Sequence, residues 1–304
     1  MKEIRPDAKA LLVGDNPFHN ISHLSQGRTR LRDKAMALPE HAADLIVTAV
    51  DNGANGFMFS VSETTLAILG VLRQRGEIER IGLYAIVPYA YEYVKLSTQV
   101  GGIPGLARKV AKQIVYSGNL KVMSTGLIGF IMTDPVRLLK TYLTYEISRI
   151  RSFAGKKARI ESVLLHEVVT DLALAMSMDW LFKAHVGYAL KMGLTPGFNT
   201  CNFVRLLSKL EDLETSPGNV TIASPFNKVG FQMSPSKREC EQALRSLSEP
   251  TLIPISILAA GYLRPLEAIE YIATLPNIKG VVAGVSKNAQ ASETFRLMRE
   301  KLKA

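Results

Sequence analysis

The sequence has little cysteine and no long apolar run. Only two of its 304 residues are cysteines, Cys201 and Cys240, and neither belongs to a CxxC pair. This spacing argues against a disulfide framework and a cysteine-rich zinc site, so we expect two free thiols. The apolar stretches fall far short of the roughly 20 residues of a membrane span, and no apolar signal core follows the first residues. We therefore expect a cytoplasmic protein that does not enter a membrane.

The sequence also lacks a nucleic-acid-binding signature. Its formal net charge is +10, but the basic residues are spread along the chain without interleaved aromatics. We therefore do not expect nucleic acid as a partner. The positive charge favours a small anionic substrate, such as a phosphorylated metabolite.

Short apolar runs alternate with longer amphipathic segments along the chain. This rhythm is typical of parallel βα units, because parallel strands are buried on both faces. Eight strands are predicted, at 8–14, 56–60, 81–87, 161–166, 195–199, 220–224, 252–258 and 279–284. The count favours one α/β domain over residues 1–304, folded as a (βα)8 TIM barrel. A doubly wound open sheet is the alternative, but it rarely needs so many units in one domain.

The rhythm breaks between strands 3 and 4. Residues 89–157 contain two helical patterns and a glycine-punctuated apolar piece at 127–132, which is too long for a simple crossover. We predict extra helices inserted here, and Asp134-Pro135 suits the start of the last one. The insertion could cover the barrel mouth or form a homo-oligomer contact, and the sequence does not choose between these roles.

Polar residues follow several strand ends, where barrels of this kind place their chemistry. The first strand leads into GDNPFHNISH, in which His19 and His23 are four residues apart and would share a face of a helical turn. An Asx-type turn is the structural alternative for this segment. The candidate catalytic residues are Asp15, His19, His166 and Glu167. The candidate substrate-binding residues are Asn16, His23, Ser60, Asn199 and Asn202.

The last two loops, at 260–264 and 284–288, suit an anionic ligand. Glycine lets the backbone approach an anion closely, and the helix behind the last strand supplies unpaired N–H groups at its N-terminus. Polar residues also follow the sixth strand, including a lysine close to the strand end. The candidate cofactor-binding residues are Ser224, Asn227, Lys228, Gly284, Ser286, Lys287 and Asn288.

The order of these segments resembles the aldo-keto reductase superfamily. ESVLLHEVVTDLA is similar to that family's fourth-strand segment, which ends in the active-site histidine. GLTPGFNTCNFVRLL and VTIASPFNKVGF are similar to its fifth- and sixth-strand segments, and IKGVVAGVSKNAQASETF to its final strand and cofactor-phosphate loop. The resemblance covers residues 160 to 300, is thin before that, and implies the barrel fold and NADP as cofactor.

The family's catalytic set is not intact in this sequence. Its members carry an aspartate and a tyrosine after the second strand and a lysine at the end of the third. Here FMFSVSETTL places Ser60 near the aspartate position and offers no tyrosine, and LYAIVPY has no lysine. Only His166 matches, so the usual proton donor for a carbonyl oxygen is missing. Tyr84, Tyr89 or Tyr91 could substitute only with a rearranged backbone.

Three functional hypotheses follow. The favoured one is a divergent NADP-linked oxidoreductase, because the matched segments include the cofactor loop. The alternative is a lyase, isomerase or hydrolase, cofactor-independent or assisted by a divalent metal, in which the acidic and imidazole groups act as acids, bases or ligands. The third is a binding barrel without chemistry, against which the polar first loop argues. The first two require Asp15 and His166 to share one pocket.

Overall fold

A parallel barrel forms the body of the molecule. The computed structural model describes residues 9–19, 38–88 and 134–302. Within these ranges the strands are β1 Ala10–Gly14, β2 Gly56–Ser60, β3 Gly82–Val87, β4 Arg159–Leu165, β5 Thr195–Asn199, β6 Thr221–Pro225, β7 Leu252–Ile255 and β8 Gly280–Gly284. The helices are α1 Pro39–Asp51, α2 Glu63–Gln74, α3 Pro135–Ala154, α4 Glu167–Ala175, α5 Asp179–Lys191, α6 Phe203–Asp212, α7 Lys237–Arg245, α8 Pro265–Ala273 and α9 Asn288–Leu302.

The sheet closes on itself. The strands pair in the order β7-β6-β5-β4-β3-β2-β1-β8, and every pairing is parallel. The two ends meet where Leu252 bridges Ile278 and where the amide N of Lys279 donates to the carbonyl O of Leu252 at 2.8 Å. The predicted (βα)8 barrel is therefore confirmed.

Successive residues of each strand point alternately into the barrel interior and toward the helical layer. Matching residues of neighbouring strands face the interior, where they pack as one apolar cluster of Leu12, Met58, Ile86, Leu164, Ala223, Ile253 and Val282. The opposite faces pack against the helices in a second and larger core. Full burial of a leucine- or valine-sized side chain contributes about 1.5–3 kcal/mol, so this double burial fixes the strand register.

Helix ends follow the signals in the sequence. Ser62 caps α2 by accepting from the amide of Thr65 at 3.2 Å. Asp134 caps α3, and its Oδ1 accepts from the amide of Val136 at 2.9 Å. Gly53 and Gly193 follow α1 and α5 with φ of +124° and +71°, a conformation that costs glycine little.

Several strand boundaries differ from the prediction by one or two residues, and the end of β7 differs by three. β7 ends at Ile255 rather than at residue 258, because Ser256 and Ala259 adopt left-handed φ of 53° and 45° and leave the sheet. β4 ends at Leu165, and His166 caps the helix that follows.

The last part of the predicted insertion is a regular barrel helix. α3 packs between α2 and α5 in the outer layer. Residues 89–133 lie outside the described residues, so extra helices there stay a prediction. Among the described helices, none is both long enough and apolar enough to cross a membrane.

Candidate active site at the C-terminal mouth of the barrel

The turn after β1 holds a buried carboxylate and imidazole. Asn16–His19 forms a 3-10 turn whose Pro17 and Phe18 are buried, and Phe18 packs against Phe57 with ring centroids 6.1 Å apart. The amide of Phe18 donates to the carbonyl O of Asp15 at 2.8 Å. This apolar anchor fixes Asp15 and His19 at the two ends of one short turn.

The side chains of Asp15 and His19 form a buried carboxylate–imidazole contact. His19 Nε2 lies 3.1 Å from Asp15 Oδ2, and the two side chains are only 8% and 7% exposed. The same carboxylate oxygen accepts a hydrogen bond of 2.7 Å from the amide of Ser60 at the end of β2. Burial strengthens such charge-assisted contacts, because water does not compete for the carboxylate. A carboxylate supplied by the β1 turn therefore lies beside the β2 end, where the resemblance expects an aspartate.

His166 lies at the end of β4 and caps α4. Its Nδ1 accepts from the amide of Val168 at 3.2 Å, and its own amide donates to the carbonyl O of Val87 at 2.8 Å. Burial lowers the pKa of His166, and the negative charge of Asp15 opposes that lowering. The imidazole is therefore neutral at pH 7, and its proton sits on Nε2 because Nδ1 is an acceptor.

The charge of Asp15 acts on His166 because the two side chains lie in the same part of the mouth. This is the geometry on which the sequence-based hypotheses depend. Ser60 lies beside the pair and is buried. Asn16 is exposed on the same turn, and His23 lies outside the described residues.

Asn199 offers an acceptor at the end of β5. Its register with Ala223 places it on the interior face, and it is only 9% exposed. Among the described residues nothing bonds to its Oδ1, although the atom is buried. A buried oxygen without a hydrogen-bond donor lowers the stability of the fold, and such atoms in native proteins are commonly bound by a ligand or a water.

Glu167 faces β5 rather than Asp15. It accepts a hydrogen bond from the thiol of Cys201, and its pKa is raised by burial and by the neighbouring charge of Asp171. Burial and these two acidic neighbours raise the pKa of Cys201 to about 12, so this thiol is protonated and unreactive near neutral pH. Asn202 is also engaged, since its Oδ1 accepts from Ser234 Oγ at 3.0 Å.

The loop after β6 is organised by its own side chains. Asn227 is fully buried, and it donates to and accepts from the backbone of Phe231 with both contacts at 2.8 Å. Lys228 pairs with Glu267 of α8 at 2.5 Å on the surface. Ser224 is buried at the outward-facing position of β6, between the interior residues Ala223 and Pro225.

The loop after β8 presents an exposed cation at a helix start. Lys287 and Asn288 are exposed where α9 begins, and Ser286 donates to the side chain of Gln290 from its amide at 3.0 Å. Gly284 has a packing role, because a Cβ there would lie 3.1 Å from the Pro17 ring. The helix N-terminus and Lys287 together suit a phosphate group.

A metal centre finds no support in the described part of the chain. No three histidine, cysteine, aspartate or glutamate side chains are grouped there so that they could hold a metal ion. Both cysteines are free. His185 is fully buried in α5, where its Nε2 lies 3.0 Å from the carbonyl O of Gly197, and burial lowers its pKa to about 4.

Sequence reasoning missed Asp171 and Thr200. The hydroxyl of Thr200 donates to the Asp171 carboxylate, which links α4 to the turn after β5. The spacing of Glu167 and Asp171, four residues apart on a helix, was the available signal, since such residues share one helical face.

Comparison with known proteins adds a likeness in fold. No family model matches the chain, and no curated protein is similar to it in sequence. Two solved structures from Pseudomonas aeruginosa, both assigned as aldo-keto reductases, superpose with TM-scores of 0.59 and 0.58. Each is 14% identical to this chain, over 96% of it and 90% of the other protein. The chain therefore has the barrel fold of proteins assigned as aldo-keto reductases, in agreement with the resemblance found in its sequence.

Proposed function

We propose that this chain is a small-molecule oxidoreductase that uses NADP(H) on a carbonyl or alcohol substrate. One observation carries the proposal: the Asp15–His19 pair and His166 lie together, buried, at the end of the barrel where this fold places chemistry. The fold shared with proteins assigned as aldo-keto reductases supports the reaction class.

The residues at the mouth fit a nicotinamide cofactor. The buried Oδ1 of Asn199, without a donor among the described residues, matches the N–H₂ group of a carboxamide. Lys287 and the start of α9 would hold a phosphate of the cofactor. When bound, NADPH supplies the hydride.

His166 and His19 provide the acid chemistry that the missing tyrosine would otherwise supply. Nε2–H of His166 donates a hydrogen bond to the substrate oxygen and stabilises the negative charge that develops there. His19, held in place by its contact with Asp15, delivers the proton that completes the alcohol. The buried Asp15 carboxylate also accepts from the amide of Ser60, so it is fixed at the end of β2.

A titration tests the proposal directly. NADPH fluorescence is followed as wild-type protein is added, and micromolar binding is expected. Asn199→Ala should weaken binding about 3- to 10-fold, because one buried hydrogen bond is worth about 0.5–1.5 kcal/mol. Asn219→Ala is the matched control, since Asn219 is exposed just before β6 at the opposite end of the barrel. Absence of binding at millimolar NADPH would reject the oxidoreductase assignment.

A second function is an acid–base lyase, isomerase or hydrolase that needs no nicotinamide. The buried Asp15–His19 pair favours it, because the neutral His166 and a carboxylate–imidazole pair suffice for proton transfer. A substrate with a phosphate or carboxylate would suit the net charge of +10. Elemental analysis of freshly purified protein separates the metal-assisted form of this function, which requires one equivalent of zinc, iron or manganese.

A further inference from the structure

The turn that follows β5 is tied to α4 by one carboxylate. Asp171 accepts from Thr200 Oγ1 through Oδ1, and from the amide of Cys201 through Oδ2 at 3.2 Å. The hydroxyl of Thr200 accepts in turn from the amide of Asn202 at 2.9 Å. These contacts, which we call the Asp171 brace, fix the backbone of residues 200–202 against the helix.

The brace begins one residue after Asn199. The β-sheet holds Asn199 from the other side, because the amide of Thr200 donates to the carbonyl O of Ala223 at 3.0 Å. The Oδ1 of Asn199 has no donor among the described residues, so nothing there fixes this oxygen directly. The position of this oxygen is therefore set by the backbone. The sheet fixes that backbone through the amide of Thr200, and the brace fixes it through its contacts to residues 200–202.

We propose that Asp171 is a positioning residue, whose carboxylate holds the turn after β5 so that Asn199 presents its Oδ1 to a ligand in the barrel mouth. The inference rests on the proposed function, in which Asn199 contacts the bound ligand. Asp171 itself touches no reacting atom. A charged acceptor suits this task, because hydrogen bonds to a carboxylate are about twice as strong as neutral ones.

The neighbouring thiol reports on the brace without any ligand. Cys201 lies between the brace and Glu167, and the charges of Glu167 and Asp171 both raise its pKa. Asp171→Asn removes one of these charges and weakens the contact to the Cys201 amide. In a Cys240→Ser background, which leaves Cys201 as the only thiol, its reaction rate with a disulfide reagent at pH 8 should rise about tenfold, as for a pKa lower by one unit.

Two further variants separate positioning from general destabilisation. Thr200→Val keeps the Asp171 charge and removes only the hydroxyl contact, so it should accelerate the thiol reaction less than Asp171→Asn, by loosening the turn alone, and Thr200→Ser should restore the wild-type rate. Asp179→Asn is the matched acidic control, because Asp179 pairs with Lys209 on the outer layer. All variants are compared only after circular dichroism shows a folded protein. If folded Asp171→Asn reacts within twofold of wild type, the brace does not order the turn and the inference is overturned.

The orientation of Asn199 is then read directly. Its side-chain N–H₂ resonances, assigned by their loss in Asn199→Ala, should shift or broaden in Asp171→Asn and stay unchanged in Asp179→Asn. Unchanged resonances would overturn the positioning role, even where the thiol accelerates. NADPH affinity should fall at least threefold in Asp171→Asn. Failure of wild-type protein to bind NADPH rejects the proposed function, and the thiol and resonance measurements still decide whether Asp171 positions Asn199.

Discussion

The two ends of the barrel both carry charged groups, but they differ in exposure. At the mouth, the side chains of Asp15 and His19 are 7% and 8% exposed. At the N-terminal end, Arg159 and Glu161 approach to 3.5 Å, yet they are 40% and 42% exposed. Water screens the second pair, and such pairs contribute at most about 1 kcal/mol. The first pair is shielded from water, so its contact is not weakened in this way.

The largest expected effect is that of removing the buried carboxylate. Asp15→Ala removes the contact with His19 and the acceptor of the Ser60 amide, so the free energy of unfolding should fall by about 3–5 kcal/mol. Turnover should fall by at least about a hundredfold. Glu161→Ala is the comparison at the other end and should cost less than about 1 kcal/mol. Urea unfolding of both variants measures this, and equal losses would remove the distinction between the two ends.

The next effect is a pH dependence that belongs to the mouth. Burial lowers the pKa of His166, so the neutral form that donates from Nε2 persists below the ordinary histidine value of 6.5. As the pH falls through the lowered pKa, the imidazole gains a proton and kcat/KM should decline, with a midpoint below 6.5. His166→Gln should lower kcat/KM and lose this acid limb. A midpoint above 6.5 in wild type would show that burial does not dominate the pKa of His166.

The smallest effect is expected at Tyr84. Burial raises the pKa of this phenol to about 12, and the charges that act on it belong to Glu161 and Arg159 at the N-terminal end. It lies below Ile86 on the interior face of β3, away from the mouth. Tyr84→Phe should therefore change kcat and KM less than twofold. A loss of tenfold or more would make Tyr84 a candidate for the missing proton donor.

The barrel was predictable because its signals are local. Buried strands such as Gly56–Ser60 and Thr195–Asn199 lie where the apolar runs predicted them, and Ser62 and Asp134 cap the predicted helices. The end of β7 was not predictable, because left-handed residues such as Ala259 carry no mark in the sequence.

Strand-end position was the best guide to the candidate site. It placed Asp15, His19 and His166 in one region because parallel strands end on the same side of a closed sheet. It did not show that Asn227 binds its own loop, or that Glu167 faces Cys201. Those contacts depend on side-chain directions after the strand ends, which no periodicity encodes.

Gly284 lies against the Asn16–His19 turn that follows β1. Pro17 rests on the bare backbone of this glycine, and Pro17 belongs to the turn that holds Asp15 and His19. A methyl group at 284 would press on the proline ring and move the whole turn by a few tenths of an ångström. The end of the last strand therefore supports the turn that carries Asp15 and His19, so a side chain at position 284 should disturb the candidate site without touching either residue.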